Sequence, residues 1–105
     1  MIEKFVLFTR ILMGENENEN DILVRQSKPK WTWIHLEKGS SPHAVIEVEK
    51  PTTEELYTAA NLVVENSKRR FEKNVKVIYT QIRNLRLTEK RGEVILKKTP
   101  KKIKI

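Results

Sequence analysis

One stretch of this sequence, Thr52 to Ser67, repeats with the period of a long helix, and short alternating runs lie on both sides of it. Leu56, Ala59, Ala60, Val63 and Ser67 recur at intervals of three and four, which puts them on one helical face. Thr52 and Glu55 have the spacing of a capping box directly after Pro51, a natural start for a helix. Lys68, Arg69 and Arg70 fall near its end, where cations complement the dipole. A helix whose apolar stripe is mostly small needs a flat surface to lie on, and the flanking segments supply one. Trp31 to Leu36 and His43 to Glu49 are β-rich, separated by the turn-forming run Glu37-Lys38-Gly39-Ser40-Ser41-Pro42. Ala44, Ile46 and Val48 face one way and His43, Val45, Glu47 and Glu49 the other, so one side is expected to be buried and the other half exposed. Val75 to Thr80 alternates similarly, with Val75, Val77 and Tyr79 on one side. Further strands are expected at Ile82 to Leu87, Val94 to Lys97 and Lys102 to Ile105, with turns at Lys90-Arg91-Gly92 and Thr99-Pro100-Lys101. Met1 to Arg10 reads as one more strand, and a short helix is expected through Ile22, Leu23 and Gln26 before Pro29 stops it. The expected architecture over residues 1–105 is a single α+β domain, a largely antiparallel sheet with one short and one long helix packed on it.

Composition narrows the function classes. A chain of 105 residues with 38% hydrophobic and 33% charged residues can bury one modest core and is not disordered throughout. The absence of cysteine removes disulfides, thiolate zinc sites and thiol nucleophiles, and suits a reducing, cytoplasmic setting. Lys4 and Arg10 interrupt the N-terminal apolar run, so it does not read as a signal peptide, and no segment reads as membrane-spanning. The net charge of +7 is unevenly placed. Residues 1–67 hold seven Lys and Arg against eleven Asp and Glu, whereas residues 68–105 hold fourteen against three. A terminal block of +11 is the electrostatic footprint of a phosphate-binding surface, and solvated edge-strand lysines are its ordinary structural counterpart. The Lys-, Asn- and Ile-rich composition suits an AT-rich genome, cellular or that of a large DNA virus.

Chemistry-bearing motifs are sparse. The Glu/Asn run from Glu15 to Asp21 lacks the register of a calcium loop and suits the start of the short helix instead. There is no nucleophile elbow, zinc-binding His-Glu-x-x-His, P-loop or dinucleotide fingerprint, so no catalytic residue, metal or cofactor is expected. Glu47 and Glu49, alternating near His43, leave a Mg²⁺-dependent nuclease as a weaker alternative. Trp31 and Trp33 share one strand face: the core is the default place for each, but an exposed indole stacks a nucleobase for ~1–3 kcal/mol. His35 and His43, the only histidines, suit either a ligand contact or a turn-shaping bond to a backbone carbonyl.

Several short segments, in order, resemble the NFACT RNA-binding domain family. Trp33-Ile34-His35-Leu36 followed by Ser40-Ser41-Pro42-His43-Ala44-Val45-Ile46 is similar to its Trp-Phe-His and Gly/Ser-Ser-x-His-Val-x-Ile segments. Gly14-Glu15-Asn16 with Asn20-Asp21-Ile22-Leu23 resembles its Gly-Arg/Lys-Asn and Asn-Asp/Glu-x-Leu. Ala59-Ala60 through Asn66-Ser67-Lys68 resembles its small-residue helix, and Val75 to Thr80 with Asn84-Leu85-Arg86 its Val-x-Val-x-Tyr-Thr segment. Glu15 and Trp31 depart from the family pattern, which has Arg or Lys and Asp there. The family's modules occur in ribosome quality-control factors that bind the large ribosomal subunit and tRNA, and in small eukaryotic proteins with a trailing coiled coil. The resemblance implies a non-catalytic binding module for tRNA or ribosomal RNA. Lys68, Arg69, Arg70, Lys97, Lys98, Lys101 and Lys102 are the expected phosphate contacts, and Trp33, His35, Ser41, His43 and Tyr79 are expected on or beside the recognition face. DNA binding, or docking of an acidic protein partner by the same basic strands, are the alternatives.

Overall fold

In the computed structural model, which describes residues 1–105, the chain runs β1 (Ile2–Val6), β2 (Thr9–Met13), α1 (Glu17–Gln26), β3 (Thr32–Leu36), β4 (Ala44–Ile46), α2 (Thr53–Glu65), β5 (Lys76–Gln81), β6 (Leu85–Leu87), β7 (Val94–Leu96) and β8 (Lys101–Lys104). Six strands form an antiparallel sheet in the order β1-β2-β4-β3-β5-β8, and β6 and β7 pair separately as a ribbon. The α+β architecture is thus the one the alternating runs and the single long helical period imply.

Each sheet face carries its own apolar layer. On one side α2 lays Ala59, Ala60 and Val63 against Ile11, Met13, Ile34, Leu36, Ala44, Ile46 and Val77. Small side chains let the helix approach closely, and all ten of these residues are buried. On the other side Leu23 and Val24 of α1, with Ile82 and Leu85 leading into the ribbon, cover Trp33, Val45 and Ile78. The strand at Ala44–Ile46 therefore has no solvent side: Ala44, Val45 and Ile46 are each 0% exposed. Within the strand the face of His43 and Val45 is closed by α1 and the ribbon, a second layer that alternation does not announce, and the expected half-exposed side persists beyond it at Glu47 and Glu49.

Other boundaries also differ from the sequence reading. Met1 to Arg10 is a hairpin, not one strand; it turns at Leu7, whose φ is +53°, and holds Phe8 99% exposed at the tip. No Gly, Pro or Asn marks that turn. Ile82 to Asn84 is a 3₁₀ turn, because the Ile82 and Arg83 amides donate to the carbonyls of Trp31 and Pro29 and draw the chain off the main sheet. Helix α2 ends at Glu65, where the Asn66 side chain donates to Leu62 O and the Ser67 hydroxyl to Val64 O. Lys68, Arg69 and Arg70 lie beyond that end and not in the last helical turn. The last strand starts one residue early, at Lys101.

Both helices start on the caps their sequences carry. Asn16 accepts from the Glu19 amide at 2.9 Å in α1, and in α2 the Thr52 hydroxyl accepts from the Glu55 amide at 3.1 Å while the Glu55 carboxylate accepts from the Thr52 amide at 2.8 Å. Replacing Thr52 by Ala removes one half of this box. The expected loss is about 1 kcal/mol, a fall in melting temperature of roughly 4–8 °C for a domain of this size, read by thermal denaturation.

Candidate nucleic-acid interface

The sheet register assembles a transverse row of side chains on the face that carries α1. Ile34 pairs with Ala44, which sets His35 opposite His43; His35 pairs with Ile78, and Ile78 with Lys102. Residues directly opposite share a face, so His43, His35, Ile78 and Lys102 cross four strands in line. Trp33 lies two residues along β3 from His35 on the same face. The three rings form a compact group: Trp33 and His35 stack at 5.5 Å between centroids, and His43 meets Trp33 edge-on at 5.5 Å and His35 at 4.8 Å.

Hydrogen bonds hold this group from several directions. The Trp33 Nε1–H donates to His43 Nδ1 at 2.9 Å, so that nitrogen is unprotonated. The Gly14 amide donates to the His43 carbonyl at 2.9 Å, and the His43 amide donates to Asn20 Oδ1 at 3.2 Å. A Cβ on Gly14 would come within 2.2 Å of that same Asn20 oxygen, which explains a glycine at this close approach. Ser41 accepts from the Leu36 amide at 3.1 Å and donates to Pro42 O at 2.9 Å, closing the loop that leads into His43. The Gly14, Asn20, Trp33, His35, Ser41 and His43 motif positions, scattered along the sequence, thus converge on one structure.

Burial keeps both imidazoles neutral near pH 7. His43 is pushed down to about 3 by removal from water, helped by its neighbour His35 and opposed by the Gly92 backbone beside it. His35 is lowered by the same desolvation, against the pull of the Leu36 carbonyl. A cavity of about 450 Å³ opens in front of them, walled by the sheet, the N-terminal turn of α1 and the β6–β7 turn with Lys90, Arg91 and Gly92. Gly92 has a φ of +75° and sits where a Cβ would press within 3.3 Å of the Glu17 backbone, while Arg91 Nη1 donates to Asn18 Oδ1 at 2.6 Å. These contacts bring the turn over the cavity.

The expected contact residues divide among four places. Trp33, His35, Ser41 and His43 line this cavity, with Lys102 at the end of their row and ion-paired to Glu37. Trp33 is only 2% exposed, so its indole packs the group and anchors His43, with its ring against His35. Tyr79, Lys98 and Lys101 line a second cavity of about 420 Å³, and Tyr79 packs on the layer that α2 covers. Lys68, Arg69 and Arg70 follow the end of α2, and Lys97 Nζ lies 3.4 Å from the Arg83 carbonyl. The half-buried Trp31 carries the Lys28 ammonium 5.5 Å from its ring centroid. Glu47 of the nuclease alternative is held by Arg10 at 3.0 and 2.8 Å, which uses both its oxygens. Sequence reasoning about the site left out Lys90 and Arg91, placed in a turn, and Gly14 and Asn20, whose only signal was the family-like spacing.

Residues 4–98 match the family model described as the NFACT protein RNA binding domain. The chain belongs to the NFACT RNA-binding domain family. This NFACT RNA-binding domain is 33% identical over 85 residues to coiled-coil domain-containing protein 25 of Danio rerio, and 34% identical over 85 residues to that of Mus musculus. Each alignment covers 74% of this chain and 41% of the relative, so the domain spans well under half the length of those proteins. It also superposes on the C-terminal part of the fibronectin/fibrinogen-binding protein from Streptococcus suis, with a TM-score of 0.87 and 28% identity over 93% of this chain and 41% of that one. No helix of the domain is long and apolar enough to cross a membrane.

The buried histidines give the NFACT RNA-binding domain a defined acid response. An unfolded histidine binds a proton near pH 6.5, whereas folded His43 resists it until about pH 3. Protonation therefore favours the unfolded chain, and the stability present above pH 6.5 is lost progressively as pH falls through that window. His43 alone removes about 2 kcal/mol between pH 7 and pH 5, and His35 acts in the same direction. Urea denaturation across that range is expected to show falling stability, and a pH-independent midpoint would contradict it. Trp33→Phe, which leaves His43 Nδ1 without its donor, is expected to cost about 1–3 kcal/mol and to raise the His43 pKa, measured by NMR titration.

Proposed function

We propose that this domain is a non-catalytic module that binds structured RNA, tRNA or ribosomal RNA, in a ribosome-associated quality-control role in the cytoplasm. Membership of an RNA-binding family carries the reading, and the charge distribution supports it. The +11 of residues 68–105 is spread over turns and edge positions that reach solvent. On β8, Lys101, Lys102 and Lys104 are exposed, and Lys104 pairs with Lys76 of β5. Lys90 and Arg91 stand over the Trp33–His35–His43 cavity, so cations border a part of the surface where neutral aromatic and polar groups are gathered. Phosphates would be held electrostatically by the cations and bases by the cavity. Attachment to the large ribosomal subunit is part of the same proposal.

Electrostatic binding has a quantitative signature. If six phosphates are neutralised, the affinity falls with salt at a log–log slope of about −4 for single strands to −5 for duplex. Fluorescence titration against tRNA at several salt concentrations tests this, and no binding at low salt overturns it. Lys101→Ala with Lys104→Ala is expected to make that slope shallower by about one for each phosphate that the two lysines neutralise.

A further inference from the structure

The cavity in front of the histidines presents hydrogen-bond acceptors that the fold itself leaves open. His35 Nδ1 lies 2.7 Å from the Leu36 carbonyl, and because a carbonyl only accepts, Nδ1 carries the ring proton. In the neutral ring Nε2 is then a lone-pair acceptor. No hydrogen bond within the fold engages Nε2, and His35 lines the cavity. Glu17 and Glu93 line the same cavity and form no ion pair.

Charge decides what kind of group fits. Glu17 and Glu93 balance Lys90 and Arg91, and Glu37 is already paired with Lys102. A cavity wall without net charge has no preference for a phosphate. It suits a flat, uncharged group that donates hydrogen bonds. The volume of about 450 Å³ lies in the roughly 300–1,000 Å³ range of small-ligand sites and has no room for a helix of nucleic acid. Unpaired RNA bases are recognised in this way, splayed out and bonded along their edges.

Resting on the RNA-binding reading above, we propose that this cavity takes one unpaired base carrying an exocyclic amino group, adenine, cytosine or guanine, with the amino group donating to His35 Nε2. The phosphates on either side of that base stay outside, on the surrounding cations. Uracil offers His35 Nε2 only the N3–H that lies between two carbonyl oxygens, and in a cavity lined by Glu17 and Glu93 those oxygens set acceptor against acceptor.

Three RNA hairpins of the same stem test this: one with a single bulged cytosine or adenine, one with a bulged uracil and one fully paired. Wild-type domain is expected to bind the amino-bearing bulge about 10-fold more tightly than either of the others, in the range of a single base contact. His35→Phe, which keeps a ring beside Trp33 but no acceptor, brings that ratio close to one, and His35→Gln, which retains an acceptor, keeps part of it. Equal binding of the three hairpins by the wild type, or a preference for the uracil bulge, overturns the proposal and leaves RNA binding standing. An unchanged ratio in a folded His35→Phe variant overturns it too, and no binding of any hairpin at low salt overturns both readings.

Discussion

Strand β4 is three residues long and buried on both faces, and that double burial dictates the layers around it. A central strand with water on one side would need only α2. Here Val45 and its neighbour Trp33 point away from α2, so α1 and the β6–β7 ribbon must cover them. The second layer is also where the polar group is built. His43 stands one residue before β4 and His35 directly across from it, at the margin of that layer where apolar cover gives way to a cavity.

Placing two histidines there has an electrostatic cost that the hydrogen-bond pattern resolves. Charged imidazoles at this depth would lose most of their hydration, and each would face the other's charge. Both stay neutral instead, and their tautomers follow from neighbours that can act in only one sense. An indole N–H can only donate, so His43 Nδ1 accepts; a carbonyl can only accept, so His35 Nδ1 donates. The backbone on both sides of His43 is tied to Gly14 and Asn20, so a loop and a helix from elsewhere in the chain share in setting one ring. The cations remain outside this layer in water, where ion pairs cost little and phosphates can reach them.

Much of the fold was legible because its signals are local. The capping box at Thr52, the spacing of Ala59, Ala60 and Val63, and the alternation from Val75 to Thr80 each express a backbone geometry within a few residues. The misreadings have a common cause. The turn at Leu7 carries no turn residue, and Ile82 leaves its expected strand because its amide finds the carbonyl of Trp31, far back along the chain. Likewise the alternation of Ala44 to Val48 describes which residues share a face but not what lies on each face.

The candidate site divides along the same line. Its residue types, the family-like order of Gly14, Asn20, Trp33, His35, Ser41 and His43, and the basic character of residues 68–105 are properties of the chain read end to end. Which of them meet is a matter of register and layering. Tyr79 and Ile78 are adjacent in sequence, yet the strand pleat sends Ile78 into the histidine row and Tyr79 to the opposite face. Lys90 and Arg91 reach the cavity because a ribbon outside the main sheet folds back onto α1, joining the two ends of the chain where Arg91 meets Asn18. Composition and periodicity carry information over a turn or a strand. Proximity across the sheet arises from burying apolar surface on both faces at once, and that requirement is met only by the whole chain together.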